Sequence, residues 1–270
     1  MAKGHPRAAA LLLVALSVAC AGPAPSLTPT PTPSPTSLVA SAAPTAAASA
    51  SVSATPAATA TPSPSAGSPT SSAGSSPSPG SEVSGTPDEL LLDLTVSAPQ
   101  PAGYERQLFR LWIDADGNGC DTRHEVLISE SVTPVTVGAR CALIGGTWIS
   151  AYDGVTTTNA STFDIDHVVP LEEAWASGAY GWDPARRESY ANDLGDPRTL
   201  RAVSATSNRS KGDRDPAQWM PPLQTFWCDY LDDWLVIKVR WDLTVDLSEE
   251  TAITAFLQTC PATELQAERE

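Results

Sequence analysis

Residues 163–171 read Phe-Asp-Ile-Asp-His-Val-Val-Pro-Leu, and residues 207–213 read Ser-Asn-Arg-Ser-Lys-Gly-Asp. The first of these alternates polar and apolar side chains, a pattern that predicts a β-strand. Asp164 and Asp166 would share one face of that strand because of its two-residue period, and His167 would lie on the other face. The two stretches together therefore gather carboxylates, a histidine and an asparagine within a short span of chain.

These residue types suit the hydrolysis of a phosphodiester. A carboxylate oxygen is a good ligand for Mg²⁺ or another hard divalent ion. A histidine that titrates near neutrality is a good general base for water. The reaction needs both, because a cation neutralises the charge that grows on the phosphate and the leaving oxygen while a base deprotonates the attacking water.

The order and spacing of the two motifs resemble the HNH endonucleases of the ββα-metal class. They are most similar to a branch of exported bacterial HNH proteins in which Asp-His-Val-Val-Pro-Leu precedes Asn-Arg-Ser-Lys-Gly-Asp. Residues 215–222, Asp-Pro-Ala-Gln-Trp-Met-Pro-Pro, and residues 118–123, Asn-Gly-Cys-Asp-Thr-Arg, also fit that branch. The resemblance extends from about Tyr104 to Cys260, and it implies a small ββα-metal core embedded in a helix-rich, disulfide-braced α+β domain.

The resemblance also implies roles for individual residues. His167 matches the general base, and Asp166 and Asn208 match the protein ligands of a divalent metal, for which Mg²⁺ is the first expectation and Mn²⁺ or Zn²⁺ are alternatives. Lys211 would lie near the phosphate or pair with an acid, and Asp164 is a supporting residue.

One element of the HNH pattern is missing. Many members carry a middle asparagine that orients the histidine, and counting back to its usual position lands on Thr199. The orienting group therefore stays open between Thr199, Asn192 and a backbone carbonyl.

A second candidate site lies in residues 114–125. The side chains that stand at the ligand positions of a calcium loop are Asp114, Asp116, Asn118 and Glu125. Asp121 replaces the usual apolar residue, and the segment that follows is rich in apolar residues typical of a strand. The alternatives are that this segment supports the nuclease site, with Arg123 contacting phosphate, or that it is a surface turn stapled by Cys120.

Residues 1–20 are typical of an export signal, with a short basic start and an apolar run too short to span a bilayer. Small residues precede Cys20 as in the bacterial lipoprotein cleavage box, which predicts lipidation of Cys20, with ordinary cleavage nearby as the alternative. Residues 21–87 are almost entirely Ala, Ser, Thr, Pro and Gly, so they bury too little apolar surface to fold and are predicted to be a disordered tether. The folded domain is predicted over residues 88–270.

Four cysteines remain after Cys20, an even number that suits an oxidising compartment. Proximity favours the pairs Cys120–Cys141 and Cys228–Cys260, although all three pairings stay open. A zinc site is disfavoured because no Cys-x-x-Cys occurs.

Outside the two motifs, periodicity and capping signals predict the α+β class. The predicted helices cover residues 101–112, 171–177, 183–193 and about 227–241, with a last helix capped at Ser248. The predicted strands cover residues 132–137, 147–152, 163–169 and 199–203.

The chain carries 16 basic and 31 acidic side chains, a net charge of −15. Such a charge excludes tight binding of nucleic acid through the overall field. Arginines nevertheless cluster between residues 183 and 215, which predicts a local phosphate-binding face and weak, salt-sensitive binding.

The sequence thus predicts an exported, lipid-anchored, metal-dependent endonuclease that acts on DNA, with RNA left open as a second substrate. The alternative is a non-catalytic, calcium-stabilised binding module of the cell envelope. Nucleic acid is the predicted partner, the membrane is reached only through the N-terminal lipid, and no obligate protein partner is indicated. A serine hydrolase is disfavoured because no Gly-x-Ser-x-Gly occurs.

Overall fold

The computed structural model describes residues 79–270. The predicted signal peptide, the lipidation site Cys20 and most of the predicted tether lie outside the described residues. Within them the fold is α+β, as predicted. The helices are α1 (Pro87–Asp93), α2 (Thr122–Ser129), α3 (Leu171–Ala176), α4 (Pro184–Ala191), α5 (Ala205–Lys211), α6 (Trp227–Arg240) and α7 (Leu247–Leu257). The strands are β1 (Glu82–Gly85), β2 (Val135–Val137), β3 (Leu143–Gly145), β4 (Trp148–Ile149), β5 (Thr156–Thr157), β6 (Phe163–His167), β7 (Leu200–Ser204) and β8 (Leu265–Glu268).

The strands pair antiparallel in four two-stranded sheets, β1–β8, β2–β3, β4–β5 and β6–β7. In the β6–β7 pair, His167 lies opposite Leu200 and Asp166 lies opposite Arg201. Helix α5 follows β7 directly, and the Ser204 side chain caps its first turn by accepting from the Ser207 N–H. This β-β-α unit carries both sequence motifs.

The folded chain begins earlier than residue 88. Strand β1 lies within the predicted tether and pairs with β8 at the C-terminal end of the chain. Thr86 then caps α1 in a reciprocal arrangement with Glu89, in which each side chain accepts from the other residue's backbone N–H. The composition of residues 21–87 did not predict this strand, because the strand depends on pairing with β8, which lies far away in sequence.

Helix α6 is the centre of the larger hydrophobic core. The pattern of apolar residues predicts an amphipathic helix, but ten of its 14 residues are buried. It packs against α1, α7 and β8, so little of its surface remains for solvent. Three of its charged residues are therefore buried in ion pairs: Asp233 with Arg201, Lys238 with Glu173 and Glu249, and Arg240 with Asp193.

Two predicted elements differ from the structure. Residues 101–112 are irregular apart from a 3₁₀ turn at Arg106–Leu108, and the apolar spacing there serves to pack Tyr104 and Phe109 against Trp175. The segment after Asp121 is helix α2 rather than a strand, because the Asp121 carboxylate caps its N-terminus.

Both favoured disulfides are present, Cys120–Cys141 and Cys228–Cys260. The second joins the first turn of α6 to the residues just after the end of α7. At the beginning of α7, Asp246 rather than the predicted Ser248 is the N-cap residue. Across residues 79–270, no helix has both the length and the apolar character needed to cross a membrane.

Candidate active site

A cavity of about 260 Å³ lies where the end of β6 meets α5. Asp166, His167 and Asn208 all line it, so the three residues that the HNH resemblance singles out come together in space. Arg106 and Arg209 line the same cavity and are exposed. Larger cavities of about 870 and 540 Å³ lie elsewhere, but the smaller one unites the candidate ligands with the candidate base.

Two side chains of β6 pair with two side chains of α5. Asp164 and Asp166 are two residues apart on β6, and Asn208 and Lys211 are one turn apart on α5. The Asn208 Nδ2 donates to Asp164 Oδ2 at 3.2 Å, and the Lys211 ammonium donates to Asp166. A period of two on a strand and of three to four on a helix brings these pairs into register.

Asp166 is held by an unusually buried lysine. The Lys211 Nζ lies 2.8 Å from Asp166 Oδ2 and 3.0 Å from Oδ1, and it also donates to the His167 carbonyl at 2.9 Å. The Tyr152 hydroxyl donates to Asp166 Oδ2 at 2.6 Å. Burial raises the pKa of the Asp166 carboxyl and lowers the pKa of the Lys211 ammonium, while the attraction between the two opposes both shifts.

His167 is 5% exposed, and its Nε2 lies 3.0 Å from the Ala191 carbonyl oxygen. A carbonyl only accepts, so Nε2 carries the proton and Nδ1 is the free acceptor of the ring. Burial lowers the pKa of His167 to about 3, so the ring is neutral at physiological pH. The rings of Trp112 and Tyr190 stack against it, with centroids 5.8 and 6.0 Å away.

A backbone carbonyl therefore orients His167, one of the three groups that the sequence left open. The Thr199 hydroxyl instead donates to Asp193 at 3.0 Å. The Asn192 side chain bonds to the backbone around residues 110–113. Neither of these two side chains contacts His167, although Asn192 directly follows the carbonyl that does.

Arg123 does not lie at the cavity, contrary to the predicted phosphate contact. Its guanidinium donates to the Phe163 carbonyl at 2.8 Å, at the opposite end of β6 from His167. Arg106 takes the place next to the histidine. No motif marked Arg106 in the sequence, and the segment that carries it was predicted to be a helix.

The arginines between residues 183 and 215 do not form a common exposed face. Four of the six are turned inward: Arg201 pairs with Asp233, Arg198 pairs with Asp196, and Arg186 and Arg187 donate to backbone carbonyls. Arg209 and Arg214 are exposed, and Arg209 lines the cavity. The predicted phosphate-binding face is thus reduced to a few side chains near the site.

The predicted calcium loop is closed by its own hydrogen bonds. Asn118 Nδ2 donates to Asp116 at 2.9 Å and to Glu125 at 2.8 Å, and Asp114 accepts from the Gly119 N–H. No three His, Cys, Asp or Glu side chains converge as a metal site anywhere in residues 79–270. Calcium binding by this loop stays a prediction.

The oxygen atoms near the cavity suit a hard divalent ion. Asp164, Asp166 and Asn208 offer carboxylate and amide oxygens, the donors that Mg²⁺ and Mn²⁺ prefer over softer ligands. In the part of the chain that the structure describes, the Asn208 side chain donates a hydrogen bond to Asp164 through Nδ2, so its Oδ1 is available to an ion. Since the cluster holds few protein ligands, an ion there would keep several waters, as Mg²⁺ does. The Lys211 charge limits how strongly Asp166 attracts that ion.

Comparison with known proteins gives a consistent result. The family described as the C-terminal domain of GmrSD restriction endonucleases matches residues 131–256. An uncharacterized secreted protein of Arthroderma benhamiae is 46% identical over 176 residues, which cover 65% of this chain and 85% of that protein. No solved structure matches. The family match confirms the resemblance to HNH nucleases.

Proposed function

The chain belongs to the family of the GmrSD restriction endonuclease C-terminal domain, an HNH-type nuclease family, and on that premise we propose that it is a metal-dependent endonuclease that hydrolyses DNA. We propose β6, β7 and α5 as its ββα-metal core. The observation that carries this proposal is the meeting of Asp166, His167 and Asn208 in one cavity.

His167 would act as the general base. Its Nε2 is committed to the Ala191 carbonyl, so Nδ1 is the atom that accepts a proton from water. Burial keeps the ring neutral, so Nδ1 holds no proton before the reaction, but the same burial makes the imidazole a weaker base than a histidine in water.

Asp166 and Asn208 would hold a divalent ion, most readily Mg²⁺. When bound, such an ion would supply positive charge that stabilises the charge on the phosphate oxygens. Lys211 would position both reacting groups, since it bonds to the Asp166 carboxylate and to the His167 carbonyl. Arg106 and Arg209 would contact the phosphates of the substrate.

The net charge of −15 is compatible with this function. Binding through a few arginines next to the cavity gives low affinity, and because most of the clustered arginines are turned inward, the dependence on salt is smaller than the sequence predicts. An enzyme that cuts without sequence preference outside the cell does not need tight binding. RNA would be a second substrate on the same argument, because RNA and DNA present the same phosphate groups to these arginines.

We further propose export and a lipid anchor at Cys20. The N-terminal sequence supports export, as does the description of the Arthroderma benhamiae protein as secreted. The Ala-, Ser-, Thr- and Pro-rich stretch would hold the domain away from the membrane.

Digestion of plasmid DNA by the purified protein tests the nuclease function. We expect nicking and linearisation with Mg²⁺, none with EDTA, and at least about a hundredfold loss in His167→Ala. His124→Ala is the matched control, since His124 pairs with Asp121 outside the cavity and its loss should leave cutting unchanged. The proposal fails if the wild type does not cut with any divalent metal, or if His167→Ala cuts as fast as the wild type.

The alternative function, a calcium-stabilised binding module, rests on the acidic side chains gathered in residues 114–125. It predicts that Ca²⁺ raises the melting temperature while the DNA stays intact. Measuring both quantities on the same preparation separates the two functions.

A further inference from the structure

Trp112 has a backbone conformation that a bulky residue rarely adopts. Its φ is 57°, in the left-handed region, where the side chain meets steric strain. Such strain persists only where the surroundings impose it, and it concentrates at functional sites. The indole is half-buried and stacks on His167, with centroids 5.8 Å apart and planes 28° apart.

One side chain fixes the backbone on both sides of Trp112. Asn192 Oδ1 accepts from the Ile113 N–H at 3.1 Å, and its Nδ2 donates to the Arg110 carbonyl at 2.7 Å. Asn192 is itself anchored by the Thr122 hydroxyl and the Glu188 carbonyl, each at 2.8 Å. The strained turn is therefore held by two hydrogen bonds to a single amide, and two further hydrogen bonds hold that amide in place.

The same stretch of chain also holds His167 directly. Ala191, the residue before Asn192, accepts the His167 Nε2–H, and Tyr190 stacks on the imidazole at 6.0 Å and 27°. The end of α4 thus contacts His167 through the Ala191 carbonyl and the Tyr190 ring. Through Asn192 it also holds the turn that carries Trp112.

Trp112 also packs against a small hydrophobic cluster that contains Val126 and Leu127. Packing alone would be served by a residue in an ordinary backbone conformation. The indole of this strained residue stacks on His167 as well as on the cluster, and packing in the cluster gives no reason for that second contact.

We infer that Trp112 is a positioning residue for His167. Together with Tyr190 it confines the imidazole so that Nε2 stays on the Ala191 carbonyl and Nδ1 stays the acceptor, and Asn192 keeps Trp112 in its strained conformation. This inference rests on the proposed nuclease function for its kinetic consequences, but the state of the imidazole can be measured independently of activity.

The first test is steady-state cleavage by the full chain. We expect Trp112→Ala to lower kcat by about 10²-fold, the loss typical of a misplaced catalytic group, with KM changed far less. Trp112→Phe, which keeps a stacking ring, should recover most of that loss. Asn192→Asp, which loses the donor to Arg110, should lower kcat as well, and the double variant should lose little more than Trp112→Ala alone.

The matched control is Trp227→Ala. Trp227 is also half-buried, and it packs on the ring of Phe256 at 5.2 Å, away from the residues that line the cavity. It should lower the melting temperature as Trp112→Ala does and leave kcat unchanged.

The second test is the ¹⁵N spectrum of the imidazoles in histidine-labelled protein without metal. The wild type should show His167 as a single tautomer with the proton on Nε2, and Trp112→Ala should shift both nitrogens toward the average of two tautomers.

The inference is overturned if Trp112→Ala keeps kcat within about threefold of the wild type. If the wild type does not cut at all, the nuclease function fails, and an unchanged spectrum of Trp112→Ala then overturns this inference separately.

Discussion

Replacing Lys211 by methionine removes a fully buried charge from the candidate site. The three protons of its ammonium meet three acceptors, the two Asp166 oxygens and the His167 carbonyl, at 2.8 to 3.0 Å. Methionine fills a similar volume but leaves the Asp166 carboxylate, itself 6% exposed, with Tyr152 as its remaining donor. The variant should be destabilised because a buried carboxylate without its counter-charge raises the free energy of the folded state.

Breaking a buried pair on one side costs about 3–5 kcal/mol. For a domain of this size, that loss lowers the melting temperature by roughly 6–20 °C. The full range applies because solvent does not screen a lysine that is 0% exposed. We therefore expect Lys211→Met to be among the most destabilising single substitutions at the site.

Guanidinium unfolding, followed by tryptophan fluorescence with EDTA and without reductant, measures this loss. Asp166→Asn and the double variant complete a thermodynamic cycle. The double variant should recover about 2–3 kcal/mol of the summed single losses, because it leaves no charge unpaired. A loss below about 1 kcal/mol in Lys211→Met, the level of an exposed pair, would refute the burial argument, and so would strictly additive losses.

Three further outcomes follow from the structure. Replacing both Cys228 and Cys260 by alanine should cost about 3–4 kcal/mol, because the bridge spans 32 residues, and denaturant unfolding of both forms measures it. Burial raises the pKa of Glu130 from 4.5 to about 7, so between these two pH values the folded state holds a proton that the unfolded state has lost. The free energy of unfolding should therefore fall as pH rises from 4.5 to 7. Glu130→Gln should flatten this dependence in melting curves. Arg106→Ala should raise KM for DNA and reduce the salt slope by about 0.9, whereas Arg110→Ala, which removes an exposed arginine paired with Glu188, should change neither; equal effects of the two would contradict the assignment of Arg106.

Local patterns in the sequence predicted the parts of the site that are built from neighbouring residues. The alternation in β6 placed Asp164 and Asp166 on one face, and both contact α5. Asp183 followed by proline predicted the start of α4, where the carboxylate accepts from the Arg186 N–H. Periods and caps act over a few residues, so a single sequence records them.

Local patterns failed where distant packing overrode them. The apolar spacing of residues 101–112 predicts a helix, yet those side chains pack against α3 and α4 as an irregular segment. Arg106 reaches the cavity on that segment, and Arg123, which a motif had marked, is turned toward the Phe163 carbonyl. Neither outcome has a local signal.

The sequence by itself determined the α+β class, the positions of β6 and β7 and the candidate residues Asp166, His167 and Asn208, since each depends on patterns along the chain. The tertiary structure alone decided that the Ala191 carbonyl holds His167, that Lys211 is buried against Asp166, and that Trp112 stacks on the histidine. These contacts join residues 24 to 45 positions apart in the hydrogen-bonded cases. Their geometry depends on how whole elements pack, because burial and backbone strain arise only when the core closes around them.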